Sequence, residues 1–148
     1  MTNQTVKVDK VTDVIKVLRA GVDFYGEASK AISDQKIKRF FMQMIKTRQM
    51  AVKQLQSFAV LEKGEMETGE STAVKIRQSY TKIKAAMTSD KAHTYVDQLE
   101  EVEDKTLISL DDAIKASEGY DCHNALLKVR LVIQTCHDDM KALQNATA

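Results

Sequence analysis

The sequence predicts an all-α protein: four long helices in two antiparallel hairpins, joined by a long crossover that carries a shorter fifth helix. Three observations lead there. Apolar residues recur at spacings of three and four along most of the chain, the repeat of one helix face. The 148 residues contain no proline, no tryptophan and only five glycines, so little interrupts a helix once begun. Turn signals are also unevenly spaced: two connections are tight, whereas the middle one occupies residues 64–90.

Taken in order, residues 1–8 carry no usable pattern and are read as a frayed N-terminus; residues 9–148 are read as one domain. A chain of this length buries roughly 70% of its unfolded surface. Asp9 is the candidate N-cap of the first helix, whose stripe is Val11, Val14, Leu18, Gly21, Tyr25, Ala28 and Ile32. Ser33–Asp34 then caps a second helix with hardly any loop, which forces the pair antiparallel. That helix spans Gln35 to Lys63 with the stripe Ile37, Phe41, Met44, Arg48, Ala51, Leu55 and Phe58, and Gly64 ends it. Glu65 to Ser71 is polar and irregular. Ala73 to Met87 forms a short basic helix with Ile76, Tyr80, Ile83 and Met87 on one face; so thin a stripe suits a helix lying across the surface. Ser89–Asp90 caps the third long helix, which runs to about Ser117 with the stripe Val96, Leu99, Glu103, Leu107, Leu110 and Ile114. Gly119 ends it and Asp121 caps the fourth, where Cys122, Leu126, Val129, Ile133, Cys136, Met140 and Leu143 form a stripe without polar interruption.

Composition excludes several classes. Lys plus Arg number 22 against 21 Asp plus Glu, which leaves no overall charge to draw in nucleic acid or an anionic membrane. The N-terminus is polar, unlike a signal peptide, and no apolar run approaches the ~18 residues of a spanning helix. Cys122 and Cys136 lie two heptads apart on one helix, ~20 Å at 1.5 Å per residue, beyond disulfide reach. Free thiols point to a reducing, cytoplasmic compartment. There is no Gly-rich phosphate loop, nucleophile elbow, paired-Cys motif or metalloprotease spacing.

Two residues break the apolar stripes at mid-helix, Arg48 and Glu103. Opposite charges at matching depth predict a buried ion pair, since neither belongs alone on a buried face. Tyr25, on the first stripe, has a hydroxyl that seeks a partner such as Glu103, and Glu100 lies at the edge of the third stripe, one turn away. The two-hairpin arrangement with one long crossover is the ferritin-like topology, whose members often hold two metal ions between carboxylates and Glu-x-x-His pairs. The candidate ligands for iron or manganese are Glu27, Glu100, Glu103 and His137. The set is incomplete. Gln134 stands three before His137, where the motif has Glu, and the second helix offers Arg48, Gln49, Lys53 and Gln54 at the relevant depth. The expectation is therefore no cofactor and no transition metal among those four residues, with Arg48 satisfying the carboxylates. His93 and His123 read as surface, and Cys136 as a small buried apolar residue.

Particular residues carry a family resemblance. Glu100-x-x-Glu103-Asp104 followed by Ala113-Ile114, the Gly21-to-Tyr25 step with Ala28, Arg48, the Gly69-Glu-Ser71 turn and His137-Asp138 resemble a bacterial family of ferritin-like four-helix-bundle proteins of unknown function, over roughly residues 10–145. The resemblance implies the bundle and a crossover helix packed on it, and brings no established activity. The chain departs from the pattern at Ala20 (usually Asp), Gln54 (usually Glu), Tyr80 (usually Trp) and Leu110 (usually Tyr). The first two departures each remove a potential ligand. The function expected is a non-catalytic bundle acting through protein contacts, as a homo-oligomer, with an unknown partner, or as a stress-associated accessory protein. The alternative is a di-iron or di-manganese oxidoreductase or metal-storage protein with a degenerate site.

Overall fold

A computed structural model describes residues 10–147. Five helices follow one another: α1 (Val11–Ala31), α2 (Gln35–Lys63), α3 (Thr72–Ala86), α4 (Lys91–Ala116) and α5 (Cys122–Thr147), with no strand among the described residues. No helix is long and apolar enough to cross a membrane. The frayed terminus at 1–8 and the Asp9 cap lie outside the described residues.

The helix ends follow local chemistry. The Asp34 carboxylate accepts the free N–H groups of Lys36 and Ile37 at the start of α2, Ser71 accepts that of Val74 for α3, and Asp90 that of His93 for α4. Gly64 ends α2 at φ 87°, a left-handed conformation that costs a glycine little.

Contacts between named residues set the directions. Thr12, at the start of α1, donates its hydroxyl to Glu62 Oε2 (2.7 Å) at the end of α2, and Tyr25 packs edge-on against Phe41 at the other end. On α4 and α5, Gln144 donates to Asp97, His137 meets Asp104 and Arg130 meets Asp111: each step of two turns forward on one helix is two turns back on the other. Phe24, late on α1, packs against Tyr95, early on α4. Each of these pairs is antiparallel. The four long helices close a ring in the order α1, α2, α5, α4, and α3 lies over the α1–α4 seam. Since α2 and α4 run the same way, the chain between them must return along the bundle, and this is what residues 64–90 do.

The return is anchored. Gln56 exchanges two hydrogen bonds with the Glu67 backbone (both 2.8 Å), and the Glu67 carboxylate accepts from Gly69 N–H and pairs with Lys63. Ser71 N–H then donates to the Lys16 carbonyl of α1. α3 docks through Val74, Thr81 and Ala85, while Ile76, Tyr80, Ile83 and Met87 lie on the opposite side, in solvent. Ion pairs flank the docked face: Lys75 reaches Asp23 and Glu70, Arg77 reaches Glu101, and Lys82 reaches Glu27. Those pairs straddle the small face, and the larger apolar row points away from the bundle.

The core forms two apolar clusters stacked along the bundle. Phe24, Phe41, Tyr95 and Met140 belong to one; Leu18, Leu55, Leu110 and Leu126 belong to the other. At their junction are Arg48, Glu103 and Thr106, all fully buried.

Candidate functional site

Arg48 enters the bundle from mid-α2, with Met44 one turn before and Ala51 after it. Its Nη2 donates to Glu103 Oε2 (3.1 Å) and Thr106 Oγ1 (2.9 Å) on α4. Its Nη1 donates to the carbonyls of Val17 (3.4 Å) and Leu18 (3.3 Å) on α1. The Tyr25 hydroxyl donates to the same Glu103 oxygen at 2.6 Å, and the guanidinium stands 5.7 Å from the Tyr25 ring centroid. Three helices thus meet on one charged pair, which joins the two apolar clusters. Arg48 Nε and Glu103 Oε1 are buried without a partner among the described residues.

Burial alone would release the Arg48 proton more easily, but the Glu103 carboxylate outweighs it and holds the guanidinium's pKa above its ordinary value. Burial, with the Glu103 charge beside it, pushes the Tyr25 hydroxyl well above 10.0. The same two causes push the Cys136 thiol up to about 12, so it is an inert packing group rather than a nucleophile.

Two residues that complete this network carry weaker sequence signals. Thr106 accepts from Arg48 and returns its own hydroxyl hydrogen to the Val102 carbonyl (2.7 Å), a bond a threonine makes within many helices. Gly21 sits mid-helix in α1, where glycine costs about 1 kcal/mol relative to alanine. A Cβ there would lie 2.2 Å from Arg48 Nη1 and 2.5 Å from Cζ. The guanidinium fills the space that the missing side chain leaves. A glycine in the middle of an apolar stripe, facing a stripe broken by arginine, is the signal that identifies it.

The four alternative metal ligands, Glu27, Glu100, Glu103 and His137, do not converge. Glu103 is held by Arg48 and Tyr25. Glu27 is drawn toward α3, where Gln78 donates to it (2.8 Å) and Lys82 lies at 3.7 Å. A dinuclear centre needs carboxylates from several helices around one point, and a guanidinium stands at that depth instead. The residues present do not fit that group.

Glu100 and His137 do meet, away from the network, at the α4–α5 seam. His137 Nε2 is 3.1 Å from Glu100 Oε2 and 2.6 Å from Asp104 Oδ1. Glu100 is buried, His137 partly so, and Asp104 opens to solvent. Burial, aided by the Asp104 charge, raises the Glu100 carboxyl above its usual range. Burial opposes protonation of His137, but Asp138, Asp104 and Glu100 together raise its pKa above the ordinary value. Asp104 is the member that stripe analysis passes over, because it lies off the apolar face; its i, i+4 spacing from Glu100 was the available sign. His93 bonds to Thr147 at the bundle end, and His123 lies by Ser117 and the Ile114 carbonyl.

Fold and site together define an all-helical protein whose two core clusters are joined by a buried Arg–Glu–Tyr network. Residues 7–116 match the family described as Domain of unknown function (DUF2383), more than half of the chain, and the chain belongs to that family. The match takes in α1 to α4, including Gly21, Tyr25, Arg48, Glu100, Glu103 and Thr106, and ends before His137. Neither the comparison with curated proteins nor that with solved structures gives a match.

Proposed function

We propose that the chain is a single, non-catalytic bundle of ferritin-like topology that acts through a protein contact made by the outer face of α3. The observation that carries this is the row Ile76, Tyr80, Ile83 and Met87, whose exposures are 66%, 57%, 65% and 83%. Four large apolar side chains in line along one helix are the pattern of anchors that an amphipathic partner helix uses. The ring order of the helices and the long return between α2 and α4 support the topology, and Arg48 at the centre supports a structural rather than a reactive interior.

Charge argues for the partner's chemistry. α3 contains no Asp or Glu, whereas Lys84 borders the row. A second copy presenting the same face would bring like charges together. An acidic amphipathic segment of another protein would pair with them. The test places a photo-crosslinking residue at Tyr80 or Ile83 in cells, with exposed Thr135 on α5 as the control position. The expected result is one acidic protein captured from α3 positions alone, whose binding to the purified chain falls at least tenfold on changing Ile76→Asp together with Ile83→Asp. Capture equal at Thr135, none at α3, or capture of a second copy would each overturn the reading.

A further inference from the structure

We propose that Glu100, Asp104 and His137 form a mononuclear site for a divalent first-row transition-metal ion at the α4–α5 seam. The inference is independent of the contact assigned to α3. One ligand atom from each residue lies within 4.8 Å of the others, and two helices supply them. A metal bonded at ~2.1 Å to two ligands at right angles holds those ligands ~3 Å apart. His137 Nε2 stands 3.1 Å from Glu100 and 2.6 Å from Asp104, so small rotamer changes admit the ion.

Charge and orientation point the same way. Two carboxylates face one imidazole, so even with both ring nitrogens protonated the trio keeps one negative charge in excess, with Glu100 only 7% exposed. A divalent ion replacing that proton makes the trio neutral. The other ring nitrogen is oriented from outside the trio: Nδ1 faces Asp138 Oδ1 at 3.4 Å, and Gln134 donates to that same oxygen at 3.0 Å. A carboxylate behind a histidine that points its remaining nitrogen at a metal is a recurring second layer of such sites. One imidazole with two carboxylates suits zinc, iron(II) or manganese(II) rather than magnesium, and the exposed Asp104 side leaves positions for water. The site lies at the edge of the bundle, outside the ring centre that Arg48 fills.

Titration calorimetry of the purified full chain with Zn2+, repeated with Mn2+, tests the assignment. One equivalent of Zn2+ should bind with micromolar or tighter affinity, Mn2+ more weakly, and millimolar Mg2+ should not compete. Asp138→Asn should weaken Zn2+ about 10–100-fold; His137→Ala and Asp104→Asn should weaken it more, whereas His93→Ala and His123→Ala should leave it unchanged. Asp104 is exposed, so its variant keeps the test valid if another change disturbs folding; circular dichroism checks each one. Zn2+ binding absent below 0.1 mM, or unaffected by Asp104→Asn and His137→Ala in folded protein, would overturn the site and leave a salt-bridged cluster.

Discussion

Glu100 and Glu103 are one turn apart on α4, and their surroundings could hardly differ more. Glu103 is fully buried, accepts from a guanidinium and a phenol, and ties α4 to α1 and α2. Glu100 is turned toward α5, where a histidine and an aspartate open to water. An offset of only about 60° around the helix, the step between residues three apart, separates a carboxylate that organises the core from one available to a ligand. Helix depth alone assigns no role; the neighbour across the interface does.

The largest effect should come from stranding Glu103. Arg48→Met should destabilise by about 3–5 kcal/mol in urea unfolding, because the carboxylate stays buried without its cation. Changing Glu103→Leu as well should recover much of that loss. Single effects that simply add in the double variant would show the two residues uncoupled.

Next in size is Tyr25→Phe, which removes a hydrogen bond to a charged oxygen and should cost about 1.5–3 kcal/mol at neutral pH. The variant also carries a pH signature. The hydroxyl's pKa is raised in the folded state, so its contribution is complete below about pH 10 and is lost as pH rises, because the unfolded chain ionises first. Unfolding curves at pH 8 and near pH 11 should therefore show a smaller alkaline loss for Tyr25→Phe than for the wild type.

Gly21→Ala follows, with an expected cost of about 1–3 kcal/mol from the collision with Arg48. In the Arg48→Met background the same change should become neutral or gain up to about 1 kcal/mol of helix propensity. A cost that persists without the guanidinium would mean that something else requires the glycine.

The edge cluster should give the smallest response. Asp104→Asn should change stability by at most about 1 kcal/mol without added metal, and about 1 M salt, with its ~3 Å screening length, should shrink even that. The Arg48–Glu103 coupling, shielded from ions by the core, should survive the same salt. If both respond alike, the two carboxylates are not as different as their surroundings indicate.

The helices and their order were legible in the chain without its fold. Apolar spacing, the Asp34, Ser71 and Asp90 side chains and the glycines after α2 and α4 act within a turn or two of chain, and such forces are legible locally. The sequence also isolated Arg48 and Glu103, since a charge in an apolar stripe is conspicuous before its partner is known. Tertiary structure alone decided three things. It set which side of α3 meets the bundle: Val74, Thr81 and Ala85 face inward between the ion pairs of Lys75, Arg77 and Lys82, and the larger apolar row faces out. It made Gly21 the counterpart of Arg48, a fit between two helices that neither stripe contains. And it brought Asp104, not Glu103 or Glu27, beside Glu100 and His137, because the register of α5 on α4 fixes which side chains meet across the seam.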